Sequence, residues 1–385
     1  MVHIHWLGAG LSSVPGIRRL ITRNHPLTLW NRTTSKAEEA TAGLDGDFSI
    51  KVFSLDALRG DLIAGDVVVS MLPATMHLAV AELCLEAEAH FVSSSYVSPE
   101  MAKLDVEAKE KGLTFVNEVG LDPGLDHLLA HMLMVDYQAS DAFDPANSHE
   151  FRSYCGGFPA HANDFRYKFS WSPLGVLKAL KSPAKAILDG DVVVTEKPWD
   201  AISDYTVSLP GGAETFQSYP NRDSTPFMAQ YGFGSDWNMH TFVRGTLRLD
   251  GWSDAWADIF HFVEHDISGP DGDQKLESLS KQLWTDHSYD EGEPDRVVLV
   301  VDLKASKDGN TVWHKSYALD AKGDATHSAM ARLVSVPVSL AIEAVMSGNL
   351  PAGIQAAPSD PAVIGQWFDE LAKQGDVFHL TSHVE

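Results

Sequence analysis

Gly8-Ala9-Gly10-Leu11-Ser12-Ser13 follows a short apolar run and opens a stretch with helical spacing. The first glycine permits a tight strand-to-helix turn, and the second lets the backbone approach a pyrophosphate. The helix N-terminus beyond it offers unpaired N–H groups and a positive dipole end to those phosphates. Ser13 takes the place of the usual third glycine and is small enough for close packing of helix on strand. A purely structural turn would use the same two glycines. The further strands behind this one favour a dinucleotide loop, with Gly8, Gly10, Leu11, Ser12 and Ser13 as its contacts.

The next apolar run ends in Trp30-Asn31-Arg32-Thr33-Thr34, which contains no acid. An Asp or Glu there would accept from a ribose 2′-hydroxyl and select NAD. Arg32 instead suits a 2′-phosphate, with Asn31 and Thr33 donating hydrogen bonds, so NADP is expected and NAD is the second choice. The plain alternative is an arginine solvated at a helix start. Ser70-Met71-Leu72-Pro73 follows the fourth apolar run, where a loop passes beneath the nicotinamide ribose, and Leu72 and Pro73 are expected to wall the cofactor.

These loops need strands to hold them. Apolar runs at 2–7, 27–30, 50–53, 67–70, 91–94 and 113–116 alternate with helical patterns at 15–24, 35–43, 76–87 and 99–112. That alternation predicts a doubly wound parallel sheet, an N-terminal Rossmann domain over 1–125. From 126 the pattern changes to a helix at 126–137 and strands at 150–155, 186–195, 204–209, 241–249 and 295–302. A hairpin follows, turning at Asp308-Gly309 into 310–319. This predicts a mixed α/β substrate domain on a largely antiparallel sheet over 126–330. Helical patterns at 328–346 and 361–374 place the 331–385 segment back on the first domain.

The chain of 385 residues is long enough for two domains. Its formal charge of −24, from 53 acidic and 29 basic residues, opposes nucleic acid and anionic lipid as partners. No run reaches the roughly 18 to 20 consecutive apolar residues of a membrane span, and the N-terminus lacks a signal-peptide pattern. Two cysteines make no disulfide framework and no Cys-x-x-Cys zinc pair, which suits a reducing, cytoplasmic setting.

Six segments then carry a family likeness: SSSYVSP at 93–99, NEVGLDPGLDH at 117–127, SYCGGFPA at 153–160, YKFSWSP at 167–173, YPNRDST at 219–225 and RGTLR at 244–248. In this order they resemble the signatures of saccharopine dehydrogenase of the glutamate-forming type. The resemblance implies an NADP-linked oxidoreductase of lysine metabolism acting on the CH–NH of a secondary amine. Such an enzyme interconverts saccharopine with glutamate and 2-aminoadipate 6-semialdehyde. It also implies a small amino-acid substrate, and a monomer or homodimer is expected. The stretch between Trp252 and Ser288 is shorter than the family's eukaryotic helical insertion, which puts a third subdomain in doubt.

A substrate with three carboxylates needs cations, and bidentate arginines suit carboxylates. Arg222 and Arg244 lie in motif segments and are the expected clamps, with Thr246, Lys168 and Arg166 as further contacts. Ion pairing with the chain's many acids is the alternative for each cation. Imine formation and hydrolysis need proton transfers. By resemblance Tyr96, Asp122 and Cys155 are the polar residues at the reacting carbon. Asp122 before Pro123 also suits a helix cap, and Cys155 also suits a buried small apolar residue. Asp126 and His127 read as packing or capping residues.

His127 and His131, and His261 and His265, have the i, i+4 spacing of metal ligands. Neither pair has a third ligand nearby in sequence, so no metal is expected. Trp252 and Trp256 read as a core stripe. Two other functions share these features: a relative acting on another imine, such as carboxynorspermidine dehydrogenase, and a non-catalytic dinucleotide sensor.

Overall fold

Strands β1 (Ile4–Leu7) and β4 (Val67–Ser70) are almost wholly apolar, and every residue of both is buried. Only a strand covered on both faces tolerates that pattern, and these two lie side by side at the centre of a parallel sheet. The computed structural model describes residues 2–267 and 269–384. The chain divides into two units, Met1–Leu128 with Met330–Leu371, and Leu129–Ala329 with Ala372–Glu385.

In the first unit β2 (Leu27–Asn31), β3 (Phe48–Val52), β5 (His90–Ser93) and β6 (Thr114–Val116) complete the order β3-β2-β1-β4-β5-β6, all parallel. The order reverses between β1 and β4, where a doubly wound sheet opens its ligand crevice. A seventh strand, Gly353–Gln355, pairs with the β6 edge. The sequence reading missed it, because three residues carry no period. The helical pattern expected over 99–112 divides into Pro99–Ala102 and Asp105–Glu110.

The helix Val14–Thr22 packs tightly on the helix Ala329–Met346. The Gly16 N–H donates to Ser335 Oγ at 2.9 Å, and a Cβ on Gly16 would lie 2.3 Å from the Ser335 carbonyl oxygen. Arg19 bonds Ser339 Oγ, Glu343 and Glu370 at 3.1, 2.8 and 3.1 Å. Ala329–Met346 is long and apolar enough to cross a bilayer by length and composition, and 78% of it is buried inside the protein, as in a core helix. Arg332 and Glu343 interrupt its apolar run, so the sequence reading assigned a helix there and counted no membrane span.

The second unit is built on one mixed sheet. Its strands are β7 (Ser148–Pro159), β8 (Ala184–Leu188), β9 (Asp191–Thr195), β10 (Ser203–Leu209), β11 (Gly212–Pro220), β12 (Asn238–Arg248), β13 (Asp295–Lys307) and β14 (Asn310–Lys322). The order is β10-β11-β12-β7-β13-β14, followed by a final strand, His379–Ser382. Only β12 and β7 run parallel along this path; β8 and β9 branch from β12. The single strand expected over 186–195 is a hairpin. Asp189 and Gly190 take φ of +52° and +85°, a turn preference that Asp-Gly carries here as it does at Asp308-Gly309.

The sequence reading assigned all of 331–385 to the first domain. Residues from Ala372 on belong instead to the second unit, because the final strand pairs with β14. The stretch that put a third subdomain in doubt is helical. Trp252–Ala255, Ala257–His261 and Gly272–His287 pack within this unit around Trp252, Trp256, Tyr167 and Phe169.

Candidate functional site

In the first unit the glycine loop takes the shape its residues dictate. Gly8 has φ +100°, and a Cβ there would lie 2.9 Å from the Met71 carbonyl oxygen across the β1/β4 crevice. Gly10 faces open space, with no atom within 4 Å of where its Cβ would stand. Among the described residues, the N–H groups of Gly10, Leu11 and Ser12 make no hydrogen bond within the chain. Ser13 is buried just ahead of the helix and adds no side-chain cap. Open space, unspent donors and a helix N-terminus fit a pyrophosphate.

Asn31 braces this loop against the next one. Its Oδ1 accepts from the Ala9 N–H at 3.2 Å, and its Nδ2 donates to the Thr33 carbonyl at 2.9 Å. Sequence reasoning gave Asn31 only a phosphate contact. Arg32 and Thr33 are exposed, and Arg32 has no ion-pair partner among the described residues. Leu72 is half-buried and Pro73 exposed.

Tyr96 and Asp122 meet in the same unit, the Tyr96 hydroxyl donating to Asp122 Oδ1 at 3.3 Å. A tight turn positions Asp122. The Gly120 N–H bonds the Pro123 carbonyl at 3.0 Å, and a Cβ on Gly124 would fall 2.1 Å from the Gly120 carbonyl oxygen. Asp126 bonds the turn ahead of the helix Leu125–Gln138: its Oδ1 accepts from the Gly124 N–H at 2.7 Å.

Sequence reasoning missed two supports of Tyr96. Glu118 is buried with φ +57°, and its Oε1 accepts from the Val97 N–H at 2.9 Å. Its Oε2 lies 3.0 Å from His127 Nε2. His77 bridges two strand ends, with Nδ1 2.8 Å from Ser70 Oγ and Nε2 2.8 Å from Ser95 Oγ. Ser95 lies in the SSSY segment, but nothing local signals the histidine that it shares with Ser70.

Burial pushes His77 from 6.5 down to about 4. The unfolded chain therefore binds a proton that the folded chain refuses between those values. Stability is complete above pH 6.5 and falls as the pH drops towards 4, at roughly 1.4 kcal/mol per pH unit and about 3 kcal/mol in all. We expect urea titrations to show a shallower loss over this window in His77→Gln. An unchanged slope would assign the acid lability to other groups.

In the second unit β12 gathers the other candidates. Thr246 is the register partner of Cys155 on β7, and Arg244 of Ser153. Arg244, Thr246 and Arg248 alternate along β12 and so share one face. The Arg244 guanidinium lies 3.9 Å from the centre of the Phe227 ring, and its backbone N–H donates to Ser224 Oγ at 2.9 Å. Arg222 is exposed just after β11 with φ +56°. Cys155 is half-buried, and neither cysteine forms a disulfide.

Lys168 forms ion pairs with Glu293 and with Asp290, the latter at 3.6 Å, so its charge already has acidic partners. Arg248, which sequence reasoning left without a role, is buried with no acid partner among the described residues. Tyr167, Trp252 and Tyr219 surround its guanidinium, with ring centres 5.0, 5.2 and 5.5 Å away. Such contacts contribute up to about 2 kcal/mol when desolvated. Burial pushes the Tyr219 phenol up while the Arg248 charge opposes the shift. The i, i+2, i+4 placement within RGTLR was the available signal.

Comparison with known proteins agrees with both units. The family model "Saccharopine dehydrogenase NADP binding domain" matches residues 4–116, and "Saccharopine dehydrogenase C-terminal domain" matches residues 120–376. Saccharopine dehydrogenase (NADP(+), L-glutamate-forming) of Pyricularia oryzae is 30% identical, over 96% of both chains. Alpha-aminoadipic semialdehyde synthase, mitochondrial, of Rattus norvegicus is 28% identical over 98% of this chain but 48% of its own, so the chain spans about half that relative. The solved apo saccharopine dehydrogenase (L-Glu forming) of Saccharomyces cerevisiae superposes with a TM-score of 0.80 at 26% identity, covering 100% of each chain.

Proposed function

The chain belongs to the saccharopine dehydrogenase family, and from that we propose that it is an NADP-dependent oxidoreductase of lysine metabolism. It interconverts saccharopine with L-glutamate and 2-aminoadipate 6-semialdehyde, and the nicotinamide supplies or takes the hydride at the C–N bond. The observation that carries this reading is the crevice at Gly8 and Gly10, with an exposed Arg32 at the second strand end that has no ion-pair partner among the described residues.

The N–H groups of Gly10, Leu11 and Ser12 hold the pyrophosphate, and Arg32 holds the 2′-phosphate. Arg222 and Arg244 bind substrate carboxylates, with Thr246 beside Cys155 on the same sheet face. Asp122 takes and returns the proton of imine formation and hydrolysis, and the Tyr96 hydroxyl steadies its carboxylate. Glu118 and His77 are positioning residues for the segment that carries Tyr96.

The test is absorbance of the reduced nicotinamide with purified protein, saccharopine and either NADP or NAD. Turnover is expected with NADP well above NAD. A protein that binds NADP yet leaves saccharopine unchanged would overturn the substrate, and point to another imine or to a sensor.

A further inference from the structure

Asp302 on β13, His314 on β14 and His383, just beyond the final strand, lie together at one edge of the second unit's sheet. Asp302 on β13 pairs in register with Ser316 on β14, two residues from His314. His383 follows the final strand, and its N–H donates to the His314 carbonyl at 3.0 Å. Strand alternation then puts Asp302, His314, Ser316 and His383 on a single face. One ligand atom from each of Asp302, His314 and His383 lies within 4.8 Å of the others.

His314 Nε2 is 2.7 Å from Asp302 Oδ2, His383 Nε2 is 2.8 Å from Ser316 Oγ, and the two imidazoles stack with centres 4.2 Å apart. The cations beside the cluster on this face are occupied: Arg152 and Lys304 each reach Glu150 at 2.9 Å.

We propose that Asp302, His314 and His383 bind one divalent transition-metal ion of the zinc type, clipping the final strand to β13 and β14. Two imidazole nitrogens select such an ion over magnesium or calcium, which prefer all-oxygen sets. Three protein ligands leave a fourth position for water on the exposed His383 side, with Ser316 Oγ adjacent. The sequence reading looked for ligands at helical spacing and expected no metal; these three converge only through strand pairing.

The test is titration of chelator-treated full-length protein with Co2+, followed by visible absorption, and with Zn2+, followed by calorimetry. Wild type should bind one equivalent of either ion with the same stoichiometry by both readouts. His383→Ala removes an exposed ligand outside the strand ladder, so the variant should fold, and it should weaken binding at least about tenfold, as even outer-shell changes do. Asp302→Asn should weaken it similarly, and Zn2+ should raise the Tm of wild type but not of His383→Ala. Absence of binding in excess metal overturns the site. Binding that survives His383→Ala unchanged also overturns it, and would move the ion elsewhere, for example to His261 and His265, whose ring centres are 4.6 Å apart.

Discussion

Replacing Asp122 with asparagine is expected to lower kcat with saccharopine by roughly a hundredfold or more, the scale of a lost general acid–base group. Asparagine keeps an oxygen where Tyr96 now donates at 3.3 Å, so the Gly120–Gly124 turn and the loop contact survive while proton transfer is lost. A merely structural Asp122 would behave differently, because asparagine would restore nearly full turnover. The pH profile separates the two cases. If Asp122 moves the proton, the acidic limb of kcat/KM disappears in Asp122→Asn; if that limb persists and kcat falls less than about threefold, Asp122 is not the acid–base group. Tyr96→Phe removes the donor to Asp122 and should cost about tenfold.

Replacing Arg32 with alanine is expected to reduce kcat/KM for NADP by roughly thirty- to a hundredfold while leaving NAD within about twofold. A charge-assisted hydrogen bond to a phosphate contributes about 2 to 3 kcal/mol, and the 2′-phosphate is the one group that distinguishes the two cofactors. Arg32 is exposed and has no partner among the described residues, so its removal should leave folding intact. Equal losses with NADP and NAD would mean that the loop shape, braced by Asn31 between Ala9 and Thr33, had changed instead. An unchanged preference would place the 2′-phosphate against other residues.

Elements whose signal lies within a few residues were legible in the amino-acid order alone. The central parallel strands β1 and β4 declare themselves by nearly unbroken apolar runs, and the Gly8 turn by its need for positive φ. The Asp308-Gly309 hairpin was legible for the same reason as the turn. The Asp189-Gly190 hairpin offered the same dipeptide, but the valine-rich run around it read as one strand. The edge strand Gly353–Gln355 had no comparable signal, being defined by the β6 edge it joins.

By itself, then, the sequence determined a doubly wound first domain, a dinucleotide loop without an acid at the second strand end, and the family through six ordered segments. Local spacing suffices for these, because strand and helix periods, turn residues and motif order are all written along the chain. Tertiary structure alone decided which charges and donors meet. Gly16 reaches Ser335 across 319 positions, and Lys168 spends its charge on Glu293 across 125. His77 joins Ser70 to Ser95, Arg248 is enclosed by three aromatic rings, and Asp302, His314 and His383 gather on one sheet face. For the buried groups among them the physical reason is the same. A buried polar group must find its partner wherever packing brings one, and sequence separation places almost no constraint on where that is.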